Sequence, residues 1–378
     1  MGNFIQQLAE GVSLLASAKT WIEGDAIQQL QNTAKLEGMR RVVGMPDLHP
    51  GRGYPVGAAF FSCGRYYPAL IGNDIGCGMA LWQTSLERSK HSADKLEKKL
   101  GNIDGPLGED WRELIAAEAL APSGYEASLG TIGGGNHFAE VQEIDRVLDA
   151  PALQRLGVDK RRLLLLVHSG SRGLGQEILR DHVVRFNHAG LVESSAESDA
   201  YLARHAQALA FAQLNRRLIA LRMLERLRGE GQAVLDLNHN LLAPAEVAGE
   251  AGWLHRKGAT PADAGVVVIP GSRGDYSFLV EPIADAASLY SLAHGAGRKW
   301  MRGDCKDRLS ARYSLQQLSR TALGSHVVCK DRSLIFEEAP EAYKPIDTVI
   351  DSLLGAGVIR VLARLKPVLT YKTSGEAC

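Results

Sequence analysis

Residues 161–175 read RRLLLLVHSGSRGLG. Four leucines and a valine in succession fit a strand buried on both faces. His168 then opens a run broken by glycines. Three other stretches share this form: RVVGM at 41–45 running into PDLHPGRGYP, YYPALIGNDIGCG at 66–78, and AGVVVIPGSRGDYS at 264–277. The pattern predicts buried strands that deliver polar residues at glycine-rich turns. Between them lie helical stretches. The clearest is ESDAYLARHAQALAFAQLNRRLIALRMLERLRGEG at 197–231, whose apolar residues recur at three- and four-residue spacing. Its basic residues are expected on the other faces, with glycine ending it. SKHSADKLEKKL at 89–100 is a shorter, charged companion. The expected plan is strand, glycine loop, helix, a rigid scaffold presenting one site.

Composition narrows the class. Of 378 residues, 45% are hydrophobic and 23% charged, as in soluble globular chains. No apolar run is long enough for a transmembrane helix, so no membrane association is expected. The start, MGNFIQQLAEGVSLLASAKTW, lacks the layout of a signal peptide, and Met-Gly-Asn only weakly resembles a myristoylation site. The five cysteines, at 63, 77, 305, 329 and 378, are odd in number and widely spread. Reduced thiols in a cytoplasmic protein fit this better than a disulfide framework. Basic and acidic residues balance at 43 each, so a nucleic-acid partner would need a local basic surface. No repeat, low-complexity tract or linker appears, and one domain over 1–378 is expected.

The glycines, 40 in all, cluster beside chemically active residues. Asp74 and Cys77 in NDIGCG, His137 in GGGNHFAE, His168, and His239 in LDLNHN each end an apolar segment at a Gly- or Asn-rich turn. Singly, each reads as a turn residue or a packed core histidine. Jointly they form a carboxylate–thiolate–imidazole set suited to one or two divalent transition metals, manganese before a closed structural zinc. GGGNH, GSRGLG and PGSRGD are turns of the kind that form anion-binding nests. Arg172, Arg256 and Lys257 add positive charge. In SLAHGAGRKW (291–300), His294 lies among small residues with Arg298 four positions later, which leaves room for a nucleotide on its imidazole.

MPDLHPG, DIGCGM, LGTIGGGNHFAE, HSGSRGLG, HRKGATPA, IPGSRGDYS, HGAGRK and EEAPEAYK occur here in the order found in the RtcB family of RNA ligases, which the chain resembles from about residue 40 to Lys372. The resemblance implies an α+β fold with central mixed β-sheets, surrounding helices and a glycine-loop active-site cleft. It implies the joining of RNA ends carrying a 2′,3′-cyclic phosphate or 3′-phosphate to 5′-hydroxyl ends, with GTP and two Mn(II) ions. Asp74, Cys77 and His137 would hold one ion, and Cys77, His168 and His239 the other.

His294 would be the nucleophile that takes GMP, oriented by Asp47. Asn136, Glu140, Asn240, Pro270, Gly271, Ser272, Ser277, Gly295, Ala296 and Gly297 would contact the nucleotide. Tyr343 would stack on guanine and Lys372 would read its carbonyl edge. Arg172, Lys257 and Arg298 would meet RNA phosphates, so activity should fall with salt. Three departures stand out. Less sequence separates DIGCG from GGGNH, Arg273 replaces a usually apolar residue, and the chain continues past Lys372. These features resemble the short branch encoded beside release factor homologue genes, with rRNA repair as the suggested task and tRNA also possible. A metal-dependent phosphoesterase that opens cyclic phosphates without ligation is the competing reading, and His294 and Lys372 argue against it.

Overall fold

A computed structural model describes residues 4–375. The Met-Gly-Asn start and Cys378 lie outside the described residues. Two large sheets organise the chain. A six-stranded sheet runs in the order Ile5–Ala9, Val12–Leu15, Met39–His49, Val56–Ser62, Glu250–Lys257, Asn240–Val247. An eight-stranded sheet runs Gly231–Asn238, Gly78–Glu87, Arg162–Ser169, Phe138–Val147, Ile359–Thr373, Ser277–Pro282, Val267–Pro270, with His326–Cys329 added parallel to Ile359–Thr373. Most pairings are antiparallel, and Val12–Leu15 with Met39–His49 is a second parallel pair. The architecture is α+β with mixed sheets.

The sheets share a core. Leu15, Val43, Met45, Ala59 and Phe61 of the first pack with Val267, Ile269, Val280 and Ile359 of the second, together with Val349, Ile350 and Leu353 of helix Ile346–Gly355. On the far side of the eight-stranded sheet lies helix Ala196–Leu227, 32 residues long. Its Ile219, Ala220, Met223, Leu224 and Leu227 meet Trp82, Val141 and Leu165 of the strands. These helical positions recur every three or four residues, so one stripe is buried along its length.

Antiparallel register places the site. Asn238 ends its strand opposite Gly78, which begins the next, and Gly78 pairs with Ser169. His168 in turn pairs with Phe138. Strand ends and strand starts therefore alternate along one edge of the sheet, and Cys77, His137, His168 and His239 all fall there.

Three expectations need correction. Glycine loops do not regularly lead into helices: His49 and Pro270 lead back into strands, and only the Ser169 loop enters a helix, Gly173–Phe186. In YYPALIGNDIGCG the extended part is only Arg65–Tyr66, because Pro68 starts a 3-10 turn over Pro68–Leu70; the long strand follows the glycine loop instead of preceding it. The long helix ends on Arg228, at φ +57°, not on a glycine; Gly229 then donates its N–H to Leu224 O (2.9 Å). A Cβ on Gly229 would meet Leu86 Cδ2 at 2.7 Å, so a larger residue there would have to displace that side chain.

The buried stripe sets the first expectation. Met223→Ala should lower unfolding free energy by about 2–5 kcal/mol, the usual loss for such a truncation in a core. Urea titration checks this, and a loss well under 1 kcal/mol would show that the helix does not depend on that stripe.

Candidate active site

The edge where the strand ends alternate opens into a cleft of about 1050 Å³. At its floor Cys77 Sγ lies 3.3 Å from His137 Nε2 and 3.2 Å from His168 Nε2. His168 Nε2 is 3.4 Å from His239 Nε2, and Asp74 Oδ2 is 2.8 Å from His137 Nε2. His137 Nδ1 donates to Ile132 O and His168 Nδ1 to Asn136 O, each at 3.2 Å. Backbone carbonyls only accept, so both rings carry a proton on Nδ1; His168 turns an Nε2 lone pair towards Cys77, and His137 Nε2 faces both Cys77 and the Asp74 carboxylate. Lone pairs, a thiol and a carboxylate converging this way suit cations. Two triads result, Asp74–Cys77–His137 and Cys77–His168–His239, with ligand atoms within 4.8 Å of one another in each and Cys77 shared.

Further observations favour cations there. Asp74 Oδ1 and His239 Nδ1 are buried without a hydrogen-bond partner among the described residues. A Cβ on Gly170 would stand 2.1 Å from Asp74 Oδ1, so glycine keeps that approach open. Burial, with the neighbouring histidines, holds His168 well below its usual pKa and neutral. Burial and Asp74 push the Cys77 thiol well up, an effect a divalent cation on Sγ would reverse.

The long helix locks these loops. Arg216 is fully buried; its Nη1 donates to Gly76 O (2.6 Å) and Ser169 O (3.0 Å). Its Nη2 donates to Asn238 Oδ1 (2.7 Å) and to Asp236, and Nε to Asp236 Oδ1 (2.9 Å). One guanidinium thus joins the segments bearing Cys77, His168 and His239. Asn215 adds bonds to Thr131 O (3.2 Å), Ser169 Oγ (3.0 Å) and Gly170 O (3.2 Å), and Gly130 N–H donates to its Oδ1 (2.8 Å). The expectation that the helix's basic residues face outward is overturned at Arg216 and at Arg222, whose Nη1 donates to Gly105 O (2.6 Å).

His294 stands beside this floor, its ring centroid 4.8 Å from that of His239. Its Nδ1 lies 2.6 Å from Asp47 Oδ2, which also accepts the His294 N–H at 3.1 Å. Asp47 is wholly buried and His294 keeps 12% of its side chain exposed in the cleft. With Nδ1–H held by the carboxylate, Nε2 retains a free lone pair. Gly297, at φ +71°, allows the contact: a Cβ there would meet Asp47 O at 2.2 Å.

Other expected residues fall into two groups. Asn136, Glu140, Asn240, Pro270, Gly271, Ser272, Gly295, Ala296, Gly297, Tyr343, Lys372, Arg172, Lys257 and Arg298 all line the cleft. Ser277 does not: it is buried and accepts from Gln142 Nε2 (2.9 Å), the amide that also donates to Glu140 Oε1 (2.7 Å). It supports Glu140 from behind. Burial pushes Glu140 up to about 7 against hydrogen bonds from Thr370 and Gln142. Asn240 is spent within the protein, donating to Asp74 O (3.0 Å) and accepting from Gly258 N–H (2.7 Å).

Arg298 also departs from expectation. Its Nε donates to Trp300 O (3.1 Å), Nη1 to Glu338 (3.2 Å) and the Tyr343 hydroxyl (3.1 Å), and Nη2 to Glu337 O (2.9 Å) and Cys305 Sγ (3.3 Å). All five N–H groups are committed, so in this arrangement Arg298 builds the wall instead of offering donors to phosphate. Its guanidinium also covers one face of Tyr343, 5.0 Å from the ring centroid. Lys257 Nζ donates to Tyr54 O (3.3 Å), and burial lowers it to about 8. Arg172 Nε donates to Thr131 Oγ1 (3.3 Å), and Lys372 Nζ to His137 O (2.9 Å).

The family described as "tRNA-splicing ligase RtcB" matches residues 29–112 and 116–373. The chain belongs to the RtcB family. RNA-splicing ligase RtcB2 of Escherichia coli is 57% identical over 375 residues, 99% of either chain. The tRNA-splicing ligase RtcB of Archaeoglobus fulgidus is 30% identical over 439 aligned positions, covering 92% of this chain and 91% of the relative. The RNA-splicing ligase RtcB of Mycobacterium tuberculosis is 28% identical, covering 90% of this chain and 99% of the relative.

Several working residues of this RtcB member escaped the sequence reading. His49 Nδ1 donates to Asp47 O (2.9 Å), and burial lowers its pKa to about 4. Lys344 Nζ donates to Pro46 O (3.1 Å) and Leu48 O (2.6 Å), so the two flank Asp47 from both sides. Glu338 accepts from the Tyr343 hydroxyl (2.6 Å) and from Arg302 (3.1 Å) besides Arg298. Only their places inside MPDLHPG and EEAPEAYK signalled them.

The Arg216 lock predicts that Arg216→Met, which strands Asp236 and two carbonyls, lowers stability by about 3–5 kcal/mol. It should also weaken Mn(II) binding in calorimetric titration. Unchanged Mn(II) affinity in folded variant would show that the loops hold their places without the guanidinium.

Proposed function

We propose that this RNA ligase joins RNA 2′,3′-cyclic phosphate or 3′-phosphate ends to 5′-hydroxyl ends, using GTP and Mn(II) through a His294–GMP intermediate. Family membership supports RNA ligation. The observation that carries the finer reading is His294 Nδ1 held 2.6 Å from buried Asp47, beside the donor set that shares Cys77. Hydrolysis of a cyclic phosphate needs no such nucleophile.

Asp74, Cys77, His137, His168 and His239 would hold two Mn(II) ions, which when bound neutralise phosphate charge and polarise phosphorus. Nε2 of His294 gives its lone pair to the α-phosphorus of GTP, and the bond to pyrophosphate breaks with the electron pair leaving on oxygen. Asp47 keeps the Nδ1 proton and stabilises the positive ring that results. A 3′-phosphate oxygen then takes GMP from His294, giving RNA-ppG and restoring the lone pair. Attack by the 5′-hydroxyl forms the new phosphodiester, releases GMP, and gives up the hydroxyl proton to solvent. A cyclic end is first opened by water to the 3′-phosphate.

We read residues 1–378 as one catalytic domain working in the cytoplasm, consistent with free Cys63, Cys77, Cys305 and Cys329. Among the described residues no helix is long and apolar enough to cross a membrane. The RNA is rRNA, tRNA or mRNA, and the resemblance to the short branch encoded beside release factor homologue genes suggests a functional link with such a factor.

Protein incubated with Mn(II) and GTP labelled at its α-phosphate should carry an acid-labile, base-stable GMP adduct, absent in His294→Ala. Asp47→Asn, which cannot hold the charged ring, should form the adduct roughly 100-fold or more slowly. Cyclic-phosphate hydrolysis without any adduct in the wild type would favour the phosphoesterase instead.

A further inference from the structure

Arg273 sits in the turn between strands Val267–Pro270 and Ser277–Pro282, between Ser272 and Gly274, and lines the cleft. It is only 8% exposed, yet Nε, Nη1 and Nη2 have no hydrogen-bond partner among the described residues. No ion pair involves it there either. Among the described residues no other arginine has all three guanidinium nitrogens buried and without a partner. Burying a guanidinium without partners is costly, and removing the charge by deprotonation is closed to arginine. Such a group is best explained by a ligand that completes it.

Its surroundings say which ligand. Thr370, two residues before Lys372, donates to Glu140 Oε2, and Lys372 Nζ lies 3.8 Å from Glu338, which accepts the Tyr343 hydroxyl at 2.6 Å. Ser277, at the foot of the turn that carries Arg273, shares the Gln142 amide with Glu140, and Arg273 lines the same cleft as Lys372, Tyr343 and Glu338. The cleft therefore gathers an acceptor at Glu140, a donor at Lys372 and a forked donor at Arg273, with the Tyr343 ring in its lining. The edge of guanine presents the complement: N2–H and N1–H donors beside the O6 and N7 acceptors. Adenine would set its N6 amino donor against two cations.

Resting on the guanylylation reading above, we infer that Arg273 is a specificity-determining residue that donates to N7 of guanine, with O6 shared between it and Lys372. The arginine fork suits that pair of acceptors, and it extends base recognition beyond the reach of Lys372 alone. An apolar residue at this position would leave N7 unread.

The test compares GTP with 7-deaza-GTP, in which a C–H replaces N7 and nothing else changes, in adduct formation (kcat/KM) by wild type, Arg273→Met and Arg273→Lys. Wild type should disfavour 7-deaza-GTP by about tenfold or more, the scale of a good arginine–guanine contact. Arg273→Met should lose that preference and use both nucleotides as poorly as wild type uses 7-deaza-GTP. Arg273→Lys, with charge but no fork, should recover part of the discrimination. The melting temperature of Arg273→Met should not fall, because an unpartnered buried charge is removed.

Equal use of both nucleotides by wild type overturns the inference. In that case an equal loss for both in Arg273→Met assigns the residue to a phosphate. A melting temperature lowered by several degrees also overturns it, by showing that the protein itself holds the guanidinium. An adduct in wild type with no effect of Arg273→Met sinks the inference alone, whereas no adduct in wild type with either nucleotide sinks the ligase reading beneath it.

Discussion

A single buried guanidinium holds the catalytic floor together. Arg216 reaches from the long helix into the edge of the eight-stranded sheet and satisfies Gly76 O, Ser169 O, Asn238 Oδ1 and Asp236. Each partner lies within three residues of a candidate metal ligand. Charge buried at this depth is tolerable only when every donor is used, so the three loops and the helix hold one another in place. Asn215 does the same for the 130–131 and 169–170 backbones. The helix's apolar stripe anchors it to the sheet, and its two polar residues then set where the loops can go. Rigidity at the floor suits a thiol shared by two donor triads, because Cys77 must keep its distance to both sets.

Chemistry is graded along the cleft. Neutral imidazoles, a thiol and a carboxylate occupy the floor. Beside them stands a histidine whose tautomer is set by Asp47, and further along come Glu140, Glu338, Lys372 and Arg273. Under the proposed reaction the floor would meet phosphate, where charge must be offset, and the other groups a base, where hydrogen-bond pattern decides. Glu338 lies among the latter in the cleft lining. It is buried, and although burial works against its carboxylate, Lys372, Arg302 and Arg298 keep it ionised below the usual range. That one carboxylate anchors Arg298 and Tyr343 in the wall and balances part of the positive charge at the base end.

Much of this was legible in the sequence, for a physical reason. Backbone that turns sharply beside a ligand needs glycine, and reactive side chains must sit on such turns, so Asp74, Cys77, His137, His168, His239 and His294 announced themselves. What stayed hidden depends on partners far along the chain. Arg216 looked like a solvent-facing residue because helical periodicity reports a stripe and does not reveal that loops cover the neighbouring face. Arg298 looked free for phosphate because Glu338, some 40 residues on, could not be placed against it. Ser277 looked like a ligand contact, whereas register with the neighbouring strand puts it behind Gln142. The strand–loop–helix plan failed for a related reason: antiparallel and crossover connections use the same buried strands, and only pairing distinguishes them.

The position of His239 connects the two sheets to the reaction. It lies between Asn238, the last residue of a strand in the eight-stranded sheet, and Asn240, the first of a strand in the six-stranded sheet. Its N–H donates to Cys77 O (2.8 Å) and its carbonyl accepts from Ala259 N–H (3.1 Å). Ala259 pairs with Ala293, immediately before His294. Asp47 comes from the six-stranded sheet, Cys77 from the edge of the eight-stranded one and His294 from the end of Ser291–Ala293, paired with Ala259–Pro261, so the proposed nucleophile, its carboxylate and the candidate metal donors belong to different sheets. The short path from Cys77 through His239 and Ala259 to His294 sets their separation by backbone hydrogen bonds, not by flexible side chains. In-line attack on a phosphorus atom tolerates little error in that separation. The shared core between the sheets therefore has a catalytic consequence: any slip of one sheet against the other would be felt first as a misplaced His294.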